Sequence, residues 1–121
     1  MTTVTIPIRI ESEPNVRCHW AERARRTREH RGSAFYALKA AKAPFTMPVV
    51  ITLTRIAPRE LDDDNLRAGF KGLRDGIADW FQVNDRTPLI RWEYAQRRGE
   101  PKQYAAEVKI TPATSATEGK S

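Results

Sequence analysis

The sequence predicts an α+β domain with the element order β-α-β-α-β-β, a mixed sheet carrying its helices on one face. Three observations predict it. Residues 3–10, 48–56, 89–96 and 104–110 alternate apolar and polar positions with the period of two that a half-buried strand requires. Between Asp64 and Phe81 the apolar residues Leu66, Phe70, Leu73, Ile77 and Trp80/Phe81 recur at spacings of 4, 3, 4 and 3, one helical stripe. And 121 residues make a single domain, with a core modest enough for oligomerisation to add to its stability.

In order, Val4, Ile6, Ile8 and Ile10 share one face of the first strand. Pro7 cannot donate a ladder hydrogen bond, which places that strand at a sheet edge. Glu11 to Asn15 reads as a loop. A helical segment from about His19 follows, with Trp20, Ala24 and Thr27 at helical spacing, Trp20 reading as core, and Gly32-Ser33 interrupting it before a second piece, Ala34 to Lys42. The expectation for 17–43 is one kinked helix, or an arginine-rich arm through Arg23–Arg31 followed by a helix. Pro44 and Pro48 bracket a turn, and the β-branched run after Pro48 is a strand with Val49, Ile51 and Leu53 on one face. The Asp64–Phe81 stripe reads as one long helix. The last two strands read as a hairpin with Arg97, Arg98 and Lys102 at its tip, the domain ends near 111, and 112–121 reads as a disordered tail.

Composition excludes several classes. No run of about 18 apolar residues exists, so no transmembrane helix is expected. The start of the chain shows no secretory pattern. A single cysteine, Cys18, cannot form an intramolecular disulfide and fits a reducing cytoplasm. The net charge is +6, and the segment 16–43 holds eight basic residues (Arg17, Arg23, Arg25, Arg26, Arg28, Arg31, Lys39, Lys42) against Glu22 and Glu29, a local +6. Such a field favours a polyanion, nucleic acid before an anionic membrane surface.

Against that background, Asp62-Asp63-Asp64 precedes the helical stripe. Spacing alone leaves two readings open. One or two of these acids suit an N-cap and the helix dipole; clustered carboxylates also suit a hard divalent cation. A calcium loop fails, because its sixth position is Arg67 and its twelfth Leu73. Asp85 lies beyond the helix, roughly 25 Å along a helix of about 17 residues, so it reaches Asp64 only if the chain folds back or a second subunit brings it. Lys71 lies two turns past Asp64 on the same side, and Lys71, Asp75 and Asp79 also suit a solvated face with intrahelical ion pairs. His19, His30 and Cys18 lack the number and spacing of a zinc site.

At Asp62-x-Asp64-Asn65-Leu66, Lys71-x-x-x-Asp75 and Asn84-Asp85, and more loosely at Pro14-Asn15, Arg17 and Trp20, the chain resembles the RusA family of Holliday junction resolvases. The resemblance implies a small homodimeric, Mg²⁺-dependent endonuclease acting on four-way DNA junctions, in a family with many phage and prophage members. It implies that Asp62, Asp64 and Asp85 are the metal-binding catalytic carboxylates, with Asp63 left as cap or outer-shell residue, and that Lys71 is the catalytic lysine. Two departures stand out: the lysine falls seven residues after Asp64 where the family pattern has it four after, and the family's Asp-Asp pair reads Asn84-Asp85. Arg17, Arg23, Arg25, Arg26, Arg28, Arg31, Arg97, Arg98 and Lys102 are the expected contacts to the phosphate backbone.

Overall fold

The computed structural model of the protein describes residues 2–10 and 20–113. Its centre is strand β2 (Val49–Ala57), whose β-branched residues suit a pleated surface between two neighbours. β3 (Ile90–Arg98) pairs parallel to β2 on one side, from Val49↔Ile90 to Ala57↔Arg98. β4 (Ala105–Pro112) pairs antiparallel on the other, from Val49↔Pro112 to Ile56↔Ala105. β1 (Thr2–Ile6) closes the far edge against β4, so the order is β1-β4-β2-β3. The fold is therefore α+β with a four-stranded mixed sheet.

Two expectations about strands are corrected. Residues 89–110 do not form a hairpin, because β3 and β4 lie on opposite sides of β2. The connection passes across the end of β2 and is closed by the Gly99 N–H donating to the Ala57 carbonyl at 2.9 Å. Alternation sets which face a strand buries and says nothing about its partner, so either pairing satisfies the same pattern. β1 ends at Ile6 rather than Ile10: Pro7 has no donor for the ladder, and a tight turn with Ile8 N–H on Ile6 O at 2.8 Å follows. β4 also continues through Pro112, one residue into the expected tail; the remainder of that tail, 114–121, lies outside the described residues.

The first helix, α1 (Trp20–Ala40), runs unbroken through Gly32-Ser33. It buries His30, Ala34 and Leu38, one residue per turn, and that packing outweighs the roughly 1 kcal/mol a mid-helix glycine costs. The long stripe, by contrast, is broken into α2 (Asp63–Gly69) and α3 (Lys71–Phe81). Phe70 sits between them at φ −91°, ψ 4°, its N–H bonded to Arg67 O at 3.2 Å. Gly69 gives that turn little helical propensity, and the tightened turn leaves the Phe70 ring fully buried beside Tyr94. Leu66, Phe70, Leu73 and Ile77 then join Ile51, Leu53 and Val108 in one core.

α1 lies against α3 because Gly72 and Gly76, one turn apart, remove the side chains that would separate them. A Cβ on Gly72 would stand 2.6 Å from His30 Cβ, and one on Gly76 would stand 2.2 Å from the Arg31 carbonyl oxygen. α3 ends at Gln82 in the left-handed region (φ 60°), with its N–H on Ala78 O and Asp79 O and the Val83 N–H on Ala78 O at 3.0 Å. A non-glycine residue is strained there. Gln82→Gly is expected to raise stability by about 0.5–1 kcal/mol, measured as a higher urea midpoint with an unchanged slope.

An ion pair joins the two helices. Arg31 grips Asp79 with two parallel hydrogen bonds, Nε to Oδ2 at 2.5 Å and Nη2 to Oδ1 at 2.8 Å. Hydrogen bonding from Arg31 holds the Asp79 carboxyl below its ordinary range, and the same contact raises Arg31. A depressed carboxylate contributes stability above its unfolded pKa and loses it as the pH falls through its folded value. Asp79→Asn should therefore cost under about 1 kcal/mol at neutral pH, both groups being partly solvated. The gap to the parent should close as the pH drops below about 4, read from denaturation midpoints across that range.

Candidate functional site

The three acidic residues sit at the start of α2, all exposed. Asp62 is the N-cap: its backbone is extended (φ −73°, ψ 168°) and its Oδ1 accepts the Asn65 N–H at 2.9 Å. The cap role expected of Asp63 thus belongs to Asp62, because only the residue preceding the first helical turn has the extended backbone that aims its side chain at those free N–H groups. Capping occupies one of the two Asp62 oxygens. Asp63 and Asp64 lie in the first turn, where the helix dipole favours negative charge. The turn is fastened to β3 by Gln96, whose amide donates to Leu61 O at 2.8 Å and accepts from Leu61 N–H at 2.9 Å.

Asp85 is fastened to the same strand at its other end. Its carbonyl accepts from Trp92 Nε1 at 3.0 Å, and its carboxylate lies 3.1 Å from Arg74 Nη2. Arg74 also donates to the Tyr94 hydroxyl at 2.9 Å and lies over the Trp92 ring at 4.9 Å, while Arg67 lies over Tyr94 at 5.1 Å. Trp92, Tyr94 and Gln96 are alternate residues on one face of β3. Their anchors are therefore separated by four residues of strand, about 13 Å. Within one chain Asp85 is consequently not gathered with Asp62 and Asp64. No group of three or more His, Cys, Asp or Glu side chains among the described residues could hold a metal ion. Asp85 is paired instead with Arg74.

The acidic turn alone still suits magnesium in one respect. That ion is commonly bound through one or two carboxylates, with waters and substrate phosphate completing its shell, and Asp62 and Asp64 offer two exposed carboxylates on one turn.

Lys71 opens α3 and is exposed, its Nζ 3.5 Å from Asp75 Oδ2 one turn on. With Trp20, Arg23, Ala24, Thr27 and Ala68 it lines a groove of about 470 Å³ between the start of α1 and the α2–α3 junction. Ala68, on its wall, is one helical turn past Asp64. Trp20 is 78% exposed there, not core as its helical spacing suggests; the helix face it occupies extends past the α3 surface that buries His30, Ala34 and Leu38.

The expected phosphate contacts divide. Arg23 lines the groove with Lys71; Arg25 and Arg26 line a neighbouring depression of about 590 Å³ that also includes Arg9, Glu22 and Glu29; Arg28 is exposed on the same helix. Arg31 holds Asp79. Arg97 pairs with Glu107 at 3.1 Å, whereas Arg98 and Lys102 are exposed around the crossover turn that replaces the expected hairpin tip. Arg17 lies outside the described residues.

Several residues that organise the site carried no motif. Gln96, Tyr94 and Trp92 were legible only as inward positions of an alternating strand, and Arg74 and Arg67 as polar members of a helix. Arg55 offered one signal: it continues the inward row of Val49, Ile51 and Leu53, and it is 6% exposed.

No protein-family model matches the chain. An uncharacterized protein of Xylella fastidiosa (strain Temecula1) is 36% identical to it over 108 residues, an alignment taking in 77% of this chain and 69% of the relative. Among the described residues, no helix is long and apolar enough to cross a membrane. By that degree of likeness and coverage, the chain belongs to the same family as this bacterial protein.

Proposed function

We propose that the protein is a Mg²⁺-dependent endonuclease that cuts branched DNA, four-way junctions first, in recombination or repair, working as a homodimer in a bacterial or phage setting. The observation that carries this is the joining of two features. An exposed pair of carboxylates follows a backbone clasped to β3 through Leu61, and a groove at the α2–α3 junction presents an exposed tryptophan with two cations, Arg23 and Lys71. Stacking surface with flanking positive charge is how a nucleic-acid strand is held without sequence reading.

In this reading Asp62 and Asp64 hold the metal, which when bound supplies an activated water and Lewis-acid relief of charge on the scissile phosphate. The rest falls to the chain. The Gln96 clasp fixes the backbone just before the acidic turn, and the cap orients the Asp62 carboxylate. Lys71 offers a cation to the phosphate oxygens or the departing oxygen, exchanging Asp75 for the negative charge that builds up there as the bond breaks. Arg23, Arg25, Arg26 and Arg28 position the backbone. Asp85, held by Arg74 in its own chain, enters the ligand set from a second copy, and two sites in one dimer allow the paired nicks a junction requires.

A second reading has its own support. Asp62 caps α2, Asp85 is neutralised by Arg74, and the protein then binds DNA without cutting it. A panel of four-way junction, fork, flap and linear duplex, at one salt concentration and across Mg²⁺ and Mn²⁺, separates the two. Junction cleavage above all other substrates is the expected result. Binding to every substrate with no cleavage under any metal leaves the DNA-binding reading, and preference for forks or flaps changes the substrate.

A further inference from the structure

Arg55 follows three apolar positions in β2's inward row and is a buried residue. Among the described residues, its hydrogen-bond acceptors are neutral. Nε donates to the Ile10 carbonyl at 2.8 Å, and Nη1 donates to the Arg59 carbonyl and stands 3.4 Å from Gln96 Oε1. No carboxylate pairs with it among the described residues. A buried cation without a counter-charge is costly, and a second cation nearby makes it more so.

The surroundings add positive charge. Arg55 opens onto a pocket of about 360 Å³ whose other charged residues are Arg9, Arg59 and Glu60, with Tyr104 on its wall. Arg9 is stacked on the Tyr104 ring at 4.3 Å, which fixes its guanidinium at the pocket. Burial first and the Arg9 charge second weaken Arg55's hold on its proton relative to an ordinary arginine. Among the described residues, three arginines against one glutamate line a cavity of that size, a charge balance that matches an oxyanion with several acceptor oxygens.

We propose that the Arg9–Arg55–Arg59 pocket is a binding site for a phosphate group. Its place in the chain favours a DNA phosphodiester as the source. Arg59 precedes Asp62 by three residues, at most roughly 10 Å of extended chain, and Gln96 touches both Arg55 and Leu61. On that reading, a strand whose scissile phosphate lies at the acidic turn has this pocket within that distance along the chain. That assignment of source rests on the DNA reading above; the phosphate site itself does not.

The test uses the full chain without added metal. Inorganic phosphate is titrated while the arginine Nε–H signals are followed by NMR, with chloride at equal ionic strength as the control. Saturable movement of the Arg55 signal is expected, weakened at least tenfold in Arg9→Gln/Arg59→Gln, a pair of changes outside the core that leaves the melting temperature near its parent value. Small unsaturated shifts spread over all arginines would overturn the site. Binding of a four-way junction as a function of salt then distinguishes the sources. A phosphodiester in the pocket predicts a slope of log K against log salt smaller by about 1 in the double variant. An unchanged slope alongside intact phosphate binding assigns the pocket to free phosphate and rejects the strand contact. Neither arm requires cleavage, so a protein that never cuts DNA leaves this result standing, and a nuclease with an unresponsive Arg55 refutes the pocket alone.

Discussion

Asp64→Asn is expected to lower Mg²⁺-dependent junction cleavage at least about a hundredfold to a thousandfold while junction binding is kept or slightly tightened. The substitution conserves size and removes one negative charge. A hard cation depends on that charge, and a DNA polyanion is repelled by it. The fold has little at stake: Asp64 is exposed in the first turn of α2, and the loss of a favourable dipole interaction there is about 0.3–1 kcal/mol. Asp62 needs two variants to separate its duties. Asn caps a helix as well as Asp, so Asp62→Asn should keep stability and lose cleavage, whereas Asp62→Ala should lose both, with about 1 kcal/mol of the stability loss belonging to the cap. Single-turnover cleavage, a binding isotherm and a denaturation curve on each variant measure these quantities. Full cleavage by Asp64→Asn would end the metal reading of this turn.

Gly76→Ala is expected to be among the most damaging single changes, lowering stability by about 3 kcal/mol and the melting temperature by roughly 10 °C. Its Cβ would stand 2.2 Å from the Arg31 carbonyl oxygen, 2.9 Å from Ala34 Cβ and 3.0 Å from the Arg31 carbonyl carbon. Two of these are backbone atoms in the middle of α1, so relief comes only by moving one helix off the other. That displacement also breaks the Arg31–Asp79 grip and shifts the groove between α1 and the α2–α3 junction. Gly32→Ala is the control. It lies on α1 with open space around its missing side chain, so it should be neutral or stabilising by up to about 1 kcal/mol. If both glycines tolerated alanine equally, the close approach of α1 and α3 would be wrong.

The sequence by itself determined what depends on neighbouring residues. Strand faces follow from alternation, so β2's buried row of Val49, Ile51 and Leu53 was readable, as was the helical stripe from Leu66 to Phe81 and the edge position of a strand beside Pro7. The concentration of acid at Asp62–Asp64 and of base along α1 was equally plain, because charge is a property of the residues themselves.

Only the tertiary structure decided which of these parts meet. The two sides of β2 accept either β3 or β4 with the same alternation, and the parallel crossover through α2 and α3 assigned them. Gly69 and the burial of Phe70 broke a stripe whose periodicity continues unbroken. Gly72 and Gly76 were informative only once α1 was found lying on them. The acidic turn was likewise visible from the first reading, but its partners were not. Asp85 went to Arg74, Lys71 to Asp75, Arg31 to Asp79, and Arg55 to a pocket of cations. Long charged side chains choose partners through space, at distances that sequence separation does not encode, and that choice sets which of the acids and bases remain available for a ligand.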